Sequence, residues 1–339
     1  MDIDKTLSNP KANAETQRIW SLLVENYGKK VISGHCINNG LEDYNKEMAY
    51  FKDTVGIMPA MMVFEMYDYD YVSIANDIPT GAVERAISWA KDEGGIVGFH
   101  WHWRMGSEYF ASGKQWWQSF YSENLISSFK SEFTDAMNTK SGKLYDYIIR
   151  DIDLISEQLK KLKENNVTVL WRPLHEASGE WFWWGGSGAE TCVKLWKLIY
   201  ERMTDYHCLD NLIWIWNSEV KDGWFPGREY VDIVSWDVGA EAFDHKSYSD
   251  IFNKLSIELA ELGTMKMFAL TETGPIPDIG KMEQEKAMWS FWATWVGIPT
   301  STTVDMMKST LNDSRVITLS DFCKGHQLTE SEGEKRYGF

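Results

Sequence analysis

The chain has 339 residues, 44% of them hydrophobic and 14% aromatic, with 18 Trp and a formal net charge of −16. That apolar content is ample for a core and sets disorder aside, while so acidic a surface repels phosphate backbones and anionic lipid, so neither nucleic acid nor a membrane is an expected partner. No run of about 18 apolar residues is present to span a bilayer, and the length suits one α/β barrel with insertions, giving an expectation of a single domain over residues 1–339.

The run Met1–Thr16 lacks the basic and apolar segments of a signal peptide. It leaves a secreted protein whose signal has been removed, or a cytoplasmic one. Short β-branched or aromatic runs then alternate with longer amphipathic stretches, the pattern of βα units. Strands are predicted at Lys30–Gly34, Met58–Phe64 and Ile96–Trp101, with a helix over Thr80–Glu93 before the third. The segment Arg104–Lys143 is too long for a minimal βα connection. Its pair Trp116-Trp117 suits either a wall of a cleft or an anchor holding the excursion to the barrel. A helix over Leu144–Asn165 places Ile148, Ile152, Ile155, Leu159 and Leu162 at helical spacing and ends on Lys160, Lys161 and Lys163, as an outer barrel helix would. Strands follow at Val167–Arg172, Leu212–Trp216, Ile233–Trp236, Phe268–Thr271 and Phe291–Trp295, with helices at Glu190–Tyr206, Asp250–Leu262 and Gly280–Met288.

Eight strands with intervening helices point to a closed parallel (β/α)8 barrel, since such crossovers bury both faces of the sheet. The alternative is a doubly wound open sheet. No GxGxxG or GxxxxGK[ST] follows a strand, which weakens its nucleotide-binding form. Cys36, Cys192, Cys208 and Cys323 show no metal-binding spacing.

Barrel chemistry gathers where strands end. At those ends stand His35, Glu65, His100, His102 and Trp103, then Arg172, His175 and Glu176, then Asn217, Glu219, Asp237, Glu272 and Trp295. Strands 4 and 7 face each other across the mouth, so Glu176 and Glu272 have the topology of a carboxylate pair that cleaves a glycosidic bond. A separation near 5.5 Å implies retention of configuration, and a wider one inversion. Flat Trp faces suit pyranose rings. Glu65, Glu180 and Glu219 read as solvated or hydrogen-bonding groups. His100 and His102 share one strand face by period-two alternation and could bind a metal with His175, Asp237 or Glu272.

The run from Trp171 to Gly185, WRPLHEASGEWFWWG, closely resembles the strand-4 signature of family 26 of the glycoside hydrolases, chiefly β-mannanases. Thr271-Glu272-Thr273-Gly274 is similar to that family's nucleophile segment, and Trp101-His102-Trp103 to its strand-3 subsite motif. The resemblance implies a cofactor-free, metal-free retaining endo-β-1,4-mannanase, expected to be secreted and monomeric, acting on a β-linked polysaccharide. The family's β-1,3-xylanases and β-glucanases are the nearest alternatives, with a metal-dependent barrel hydrolase or a carbohydrate-binding module further off. Glu176 would be the general acid/base and Glu272 the nucleophile. Arg172 would hold Glu272 ionised, His175 would position substrate or nucleophile, and His102, Trp103, Trp181, Trp236, Asp237 and Trp295 would shape the subsites. Trp181 beside Glu176 disfavours its ionisation. Two positions depart from the family pattern. Ser178 stands where Asn is usual, and no Tyr closely follows Asp237, so either Tyr248 or His245 substitutes or the subsite differs.

Overall fold

A computed structural model describes residues 3–78 and 81–324. Eight parallel strands form the barrel: β1 (Val31–Cys36), β2 (Met61–Glu65), β3 (Ile96–His100), β4 (Val169–Arg172), β5 (Leu212–Trp216), β6 (Ile233–Val238), β7 (Met267–Thr273) and β8 (Phe291–Thr294). They pair in sequence order, and β1 pairs with both β8 and β2, closing the sheet. The α-helices are α1 (Ala14–Asn26), α2 (Leu41–Ala49), α3 (Tyr71–Ala75), α4 (Ala82–Lys91), α5 (Phe129–Thr139), α6 (Lys143–Glu164), α7 (Ala189–Glu201), α8 (Ser249–Glu261), α9 (Ile279–Gln284) and α10 (Val304–Leu311). The closed-barrel expectation holds.

Alternation along each strand divides the core in two. Ile32, Met61, Val63, Ile96, Leu170, Ile213, Ile215, Ile233, Met267 and Phe291 share an inner cluster that fills the barrel. Their strand neighbours, among them Phe64, Phe99, Trp171, Trp214, Phe268 and Trp292, share an outer cluster with the helices. Helix α6 shows why the spacing of its isoleucines is informative: Ile148, Ile152, Ile155, Leu159 and Leu162 are all completely buried.

Several boundaries differ from the predicted ones for local reasons. A further short strand, β9 (Val316–Ile317), pairs with the lower end of β1 at Val31 and Ile32. It takes the β1 edge below the point where β2 begins, and Pro59 instead bridges antiparallel to Thr318. The strand predicted from Met58 therefore starts at Met61. The helix predicted to run to Tyr206 changes to a wider π-helical turn at Arg202–Tyr206, and the one predicted to Met288 ends at Gln284, just ahead of Lys286 with φ of 57°. Thr80, the predicted start of another helix, lies outside the described residues. Helices α1, α2, α3, α5 and α10 were not among the predicted ones. All four cysteines are free.

Candidate active site

Strand β4 ends on Arg172, and the chain then turns through two residues with left-handed backbone, Leu174 (φ 51°) and Glu176 (φ 53°). Such conformations cost energy in residues other than glycine and are retained where surrounding contacts impose them. Those contacts are visible: the Glu176 N–H donates to the Asn217 backbone carbonyl at 2.7 Å and lies 3.0 Å from its side-chain oxygen. The Trp184 indole N–H holds the His175 carbonyl at 2.8 Å. The aromatic run folds back tightly against this loop, because a Cβ on Gly185 would sit 1.8 Å from the Ala177 carbonyl oxygen. Trp181 lies over Gly179, is 48% exposed, and donates its indole N–H to the Glu176 carboxylate at 3.0 Å. The excursion after β3 supports it from behind, with the Ser122 N–H donating to the Trp181 carbonyl at 2.7 Å.

The opposite carboxylate owes its direction to a β-bulge. Trp236 pairs with Leu270 but Asp237 pairs with Glu272, and against β8 the pairing jumps from Leu270 to Thr273. One extra residue in β7 lets the neighbours Thr271 and Glu272 both turn toward the barrel axis, where strict alternation would separate them. The Thr271 hydroxyl donates to Asp237 at 2.6 Å and accepts from the Asn217 amide at 3.1 Å.

Arg172 organises the centre. Its guanidinium is 2% exposed and donates to Glu272 at 2.5 Å and to Asp237 at 2.6 Å, with further bonds to Asn217 and the His100 ring. Despite burial, the two carboxylates keep it firmly charged. One oxygen each from Glu176, Asp237 and Glu272 lies within 4.8 Å of the other two.

Burial and Asp237 raise the Glu176 carboxyl above its ordinary range. Burial and Asp237 likewise push Glu272 upward, against the pull of Arg172. Arg172 bonds Glu272 as expected and favours its ionised form, but burial and the facing Asp237 work against that pull. A direct guanidinium bond favours ionised Glu272, whereas Glu176 faces the neutral Trp181 donor and the carboxylate of Asp237, which opposes its ionisation. Of the two raised carboxyls, Glu176 is thus the better seat for a proton.

The predicted residues sort as follows. Glu176, Glu272, Arg172 and Asp237 converge. Trp181, Trp236 and Asp237 line one cavity with Glu176. His102 and His175 meet with their Nε2 atoms 3.1 Å apart. Burial, with His102, Arg172 and His100, holds His175 well below the usual histidine range, hence neutral. Trp295, 40% exposed, stacks on His100 with centroids 5.8 Å apart. Trp103 is the exception. It is completely buried behind the barrel, stacked on Trp101 at 4.0 Å and donating to Asp151 of α6 at 2.7 Å. The alternation that turns His100 and His102 inward turns Trp103 outward, so it is a core residue and not a subsite wall.

Neither proposed substitute for the absent Tyr bonds to Glu272. His245 donates to the Ile276 carbonyl at 2.7 Å, and the Tyr248 hydroxyl is buried with no hydrogen-bond partner among the described residues. Ser178 connects neighbouring loops, its N–H donating to Ser218 and its hydroxyl accepting from the Glu219 N–H. Trp116 lies against the Arg104 guanidinium at 5.3 Å, as an anchor would, while Trp117 remains exposed. His35 faces away from the mouth into a buried pair with Glu47. Asn217, Thr271 and Glu65 are the contributors that sequence reasoning left outside the site. Asn217 was visible as a polar residue ending β5; Thr271 was hidden by the bulge. Glu65, His100 and His102 could present three ligand atoms to a metal, but Glu65 Oε2 lies 3.0 Å from His100 Nε2 and 2.5 Å from His102 Nδ1. A metal would have to displace the protons of both contacts.

A paired-carboxylate cleft at the C-terminal mouth of a (β/α)8 barrel defines a glycosidase-like site, and the chain belongs to glycosyl hydrolase family 26, whose sequence profile matches residues 8–321. It is 34% identical over 296 residues to a mannan endo-1,4-β-mannosidase of Thermothelomyces thermophilus, covering 86% of this chain and 57% of the relative. It is 35% identical over 300 residues to mannan endo-1,4-β-mannosidase A of a Piromyces species, covering 86% and 46%. The chain thus spans about half the length of these relatives. Among solved structures, the Podospora anserina GH26-CBM35 β-(1,4)-mannanase superposes with a TM-score of 0.83 at 35% identity, covering 94% of this chain and 69% of that one. A β-mannanase from a symbiotic protist of the termite Reticulitermes speratus, complexed with gluco-manno-oligosaccharide, gives 0.80 at 30% identity, covering 95% and 98%.

Proposed function

We propose that this chain is a retaining endo-β-1,4-mannanase, with Glu272 as nucleophile and Glu176 as general acid/base. The observation that carries the chemistry is the approach of one oxygen from each of these carboxylates to within 4.8 Å, nearer the spacing of about 5–5.5 Å used for retention than the gap of about 6.5–9.5 Å that inversion needs for its water. Glu272, aligned by Arg172, attacks the anomeric carbon while Glu176 gives its proton to the departing glycosidic oxygen. In the second step Glu176, now ionised, takes a proton from water, which displaces Glu272 from the sugar. The single cation of Arg172 supports the negative charge on Glu272 in the resting enzyme and as it re-forms in that second step. Trp181, Trp236 and Trp295 offer aromatic faces to the sugar, and Asp237, His102 and His175 offer polar groups.

Mannan as substrate is supported by the names of the relatives and by the oligosaccharide bound to the termite-symbiont enzyme. We place the enzyme outside the cell, where a polymer is met, and as a monomer with one catalytic domain over residues 1–339, since one barrel carries every residue of the cleft. The test is release of reducing ends from a panel of mannan, galactomannan, xylans and mixed-linkage glucan, with and without chelator. Mannan cleavage unaffected by chelator is expected. Cleavage of xylan or glucan in preference to mannan would reassign the substrate, and loss with chelator would overturn the metal-independent chemistry.

A further inference from the structure

Glu65 closes β2 beneath the cleft and is 5% exposed, yet it touches none of the three clustered carboxylates. Its two oxygens are saturated by donors. Oε1 accepts from the backbone N–H groups of Met66, Tyr67 and His102 at 2.8, 3.0 and 2.9 Å. Oε2 lies against His100 Nε2 at 3.0 Å and His102 Nδ1 at 2.5 Å.

These contacts fix hydrogen positions by elimination. An ionised carboxylate only accepts, so both imidazoles must donate to it. A guanidinium only donates, so His100 Nδ1, 3.1 Å from Arg172 Nη2, must carry no proton. His100 is therefore the neutral Nε2–H tautomer. His102 carries Nδ1–H, and a single proton lies between its Nε2 and His175 Nε2. Burial opposes ionisation of Glu65, but the two histidines hold its carboxyl well below the usual range. The other groups around it are Tyr67 and Asp68 on its own loop, Arg104 over the Tyr67 ring, and Asn39, which donates to Asp68 and to the Glu65 carbonyl.

We propose that Glu65 is a positioning residue for catalysis: one buried carboxylate sets the hydrogen-bond direction of two arms that end in the cleft. The first arm runs through His100 to Arg172 and so to Glu272. The second runs through His102 to His175, with Trp295 stacked above His100 and edge-on to His102 at 6.2 Å. Without the carboxylate, only the Arg172 donor is left to keep His100 Nδ1 bare, and a proton there would oppose Arg172.

Glu65→Gln isolates this role, because an amide has the same shape but one acceptor and one donor. If its oxygen takes the backbone N–H groups, its NH2 faces two imidazole N–H groups. If it is flipped, the NH2 faces the backbone donors instead. Either way the pattern breaks while the volume is kept.

The kinetic readout rests on the hydrolase reading above. In the folded Gln variant, kcat on a substrate the unaltered protein cleaves should fall about 100-fold, as for a misaligned reacting group, with KM changed less than about threefold. The acidic limb of its kcat/KM profile should move to higher pH as Arg172 loses its alignment on Glu272. Unaltered kcat and pH profile, with only a lower melting temperature, would overturn the proposal.

A second measurement needs neither substrate nor variant activity. Imidazole 15N shifts of the unaltered protein, assigned with His100→Gln and His102→Gln, should show His100 as Nε2–H and His102 retaining Nδ1–H from pH 5 to 8. A His100 Nδ1–H tautomer, or loss of Nδ1–H from His102, would overturn it even if no sugar were ever cleaved. Absence of hydrolysis with these tautomers intact would instead count against the hydrolase reading alone.

Discussion

Burial and the facing Asp237 raise the Glu176 carboxyl above its ordinary value of 4.5, so the folded protein retains a proton there that the unfolded chain has lost. Where the native state binds more protons than the unfolded state, stability falls as pH rises. The stabilising proton is fully present below the unfolded value and is lost through the raised one. Glu176→Gln, which cannot ionise, should therefore melt at a higher temperature than the unaltered protein near neutrality, with the gap closing toward pH 4.5. Melting temperature against pH checks this; a gap independent of pH would contradict the assigned shift. The same proton predicts that kcat falls as pH rises through the Glu176 value, because the acid is then lost. For Glu272→Ala, activity should collapse and azide should restore turnover as a glycosyl azide of inverted configuration, since azide enters the space left by the carboxylate. Cleavage that persists without Glu272 would remove it from the nucleophile's role.

At the scale of elements, β3 and β7 mark how far the sequence could be followed. Alternation along Ile96–His102 was sufficient to place both histidines inward, and the same count turns Trp103 away from the cleft. Applying it would have kept Trp103 out of the site, and its likeness to a subsite motif concealed that. Trp103→Phe should accordingly lower stability by on the order of 2–4 kcal/mol, through a void and an orphaned Asp151 oxygen, while KM stays unchanged. Denaturant unfolding and steady-state kinetics on one sample decide the matter; a raised KM at unaltered stability would return Trp103 to the cleft. In β7 the opposite holds. Glu272 was legible as a strand-end carboxylate, but the bulge that turns it beside Asp237 has no signature in Phe268–Thr271, because it exists only relative to the pairing with β6 and β8. Glu65 was hidden for a related reason. Its five donors come from the end of β3, from His102 just beyond it and from its own turn, and a lone Glu ending an apolar strand is as easily solvated as saturated.

For the whole molecule, the eight barrel strands were legible because their β-branched runs recur between amphipathic helices, and closure followed from burial of both sheet faces. The ninth strand was not, since Val316–Ile317 is too short to signal itself and is defined by the free lower edge of β1. The cleft depends on that closure: β4, β6 and β7 bring Arg172, Asp237 and Glu272 together only when the barrel is complete. One measurement examines the resulting mechanism most directly. Proton NMR of mannan or a mannooligosaccharide in the first moments of hydrolysis distinguishes the anomer released before mutarotation. The closely spaced carboxylates predict that the β-anomer appears first, by two displacements at one carbon; initial release of the α-anomer would contradict the double-displacement account.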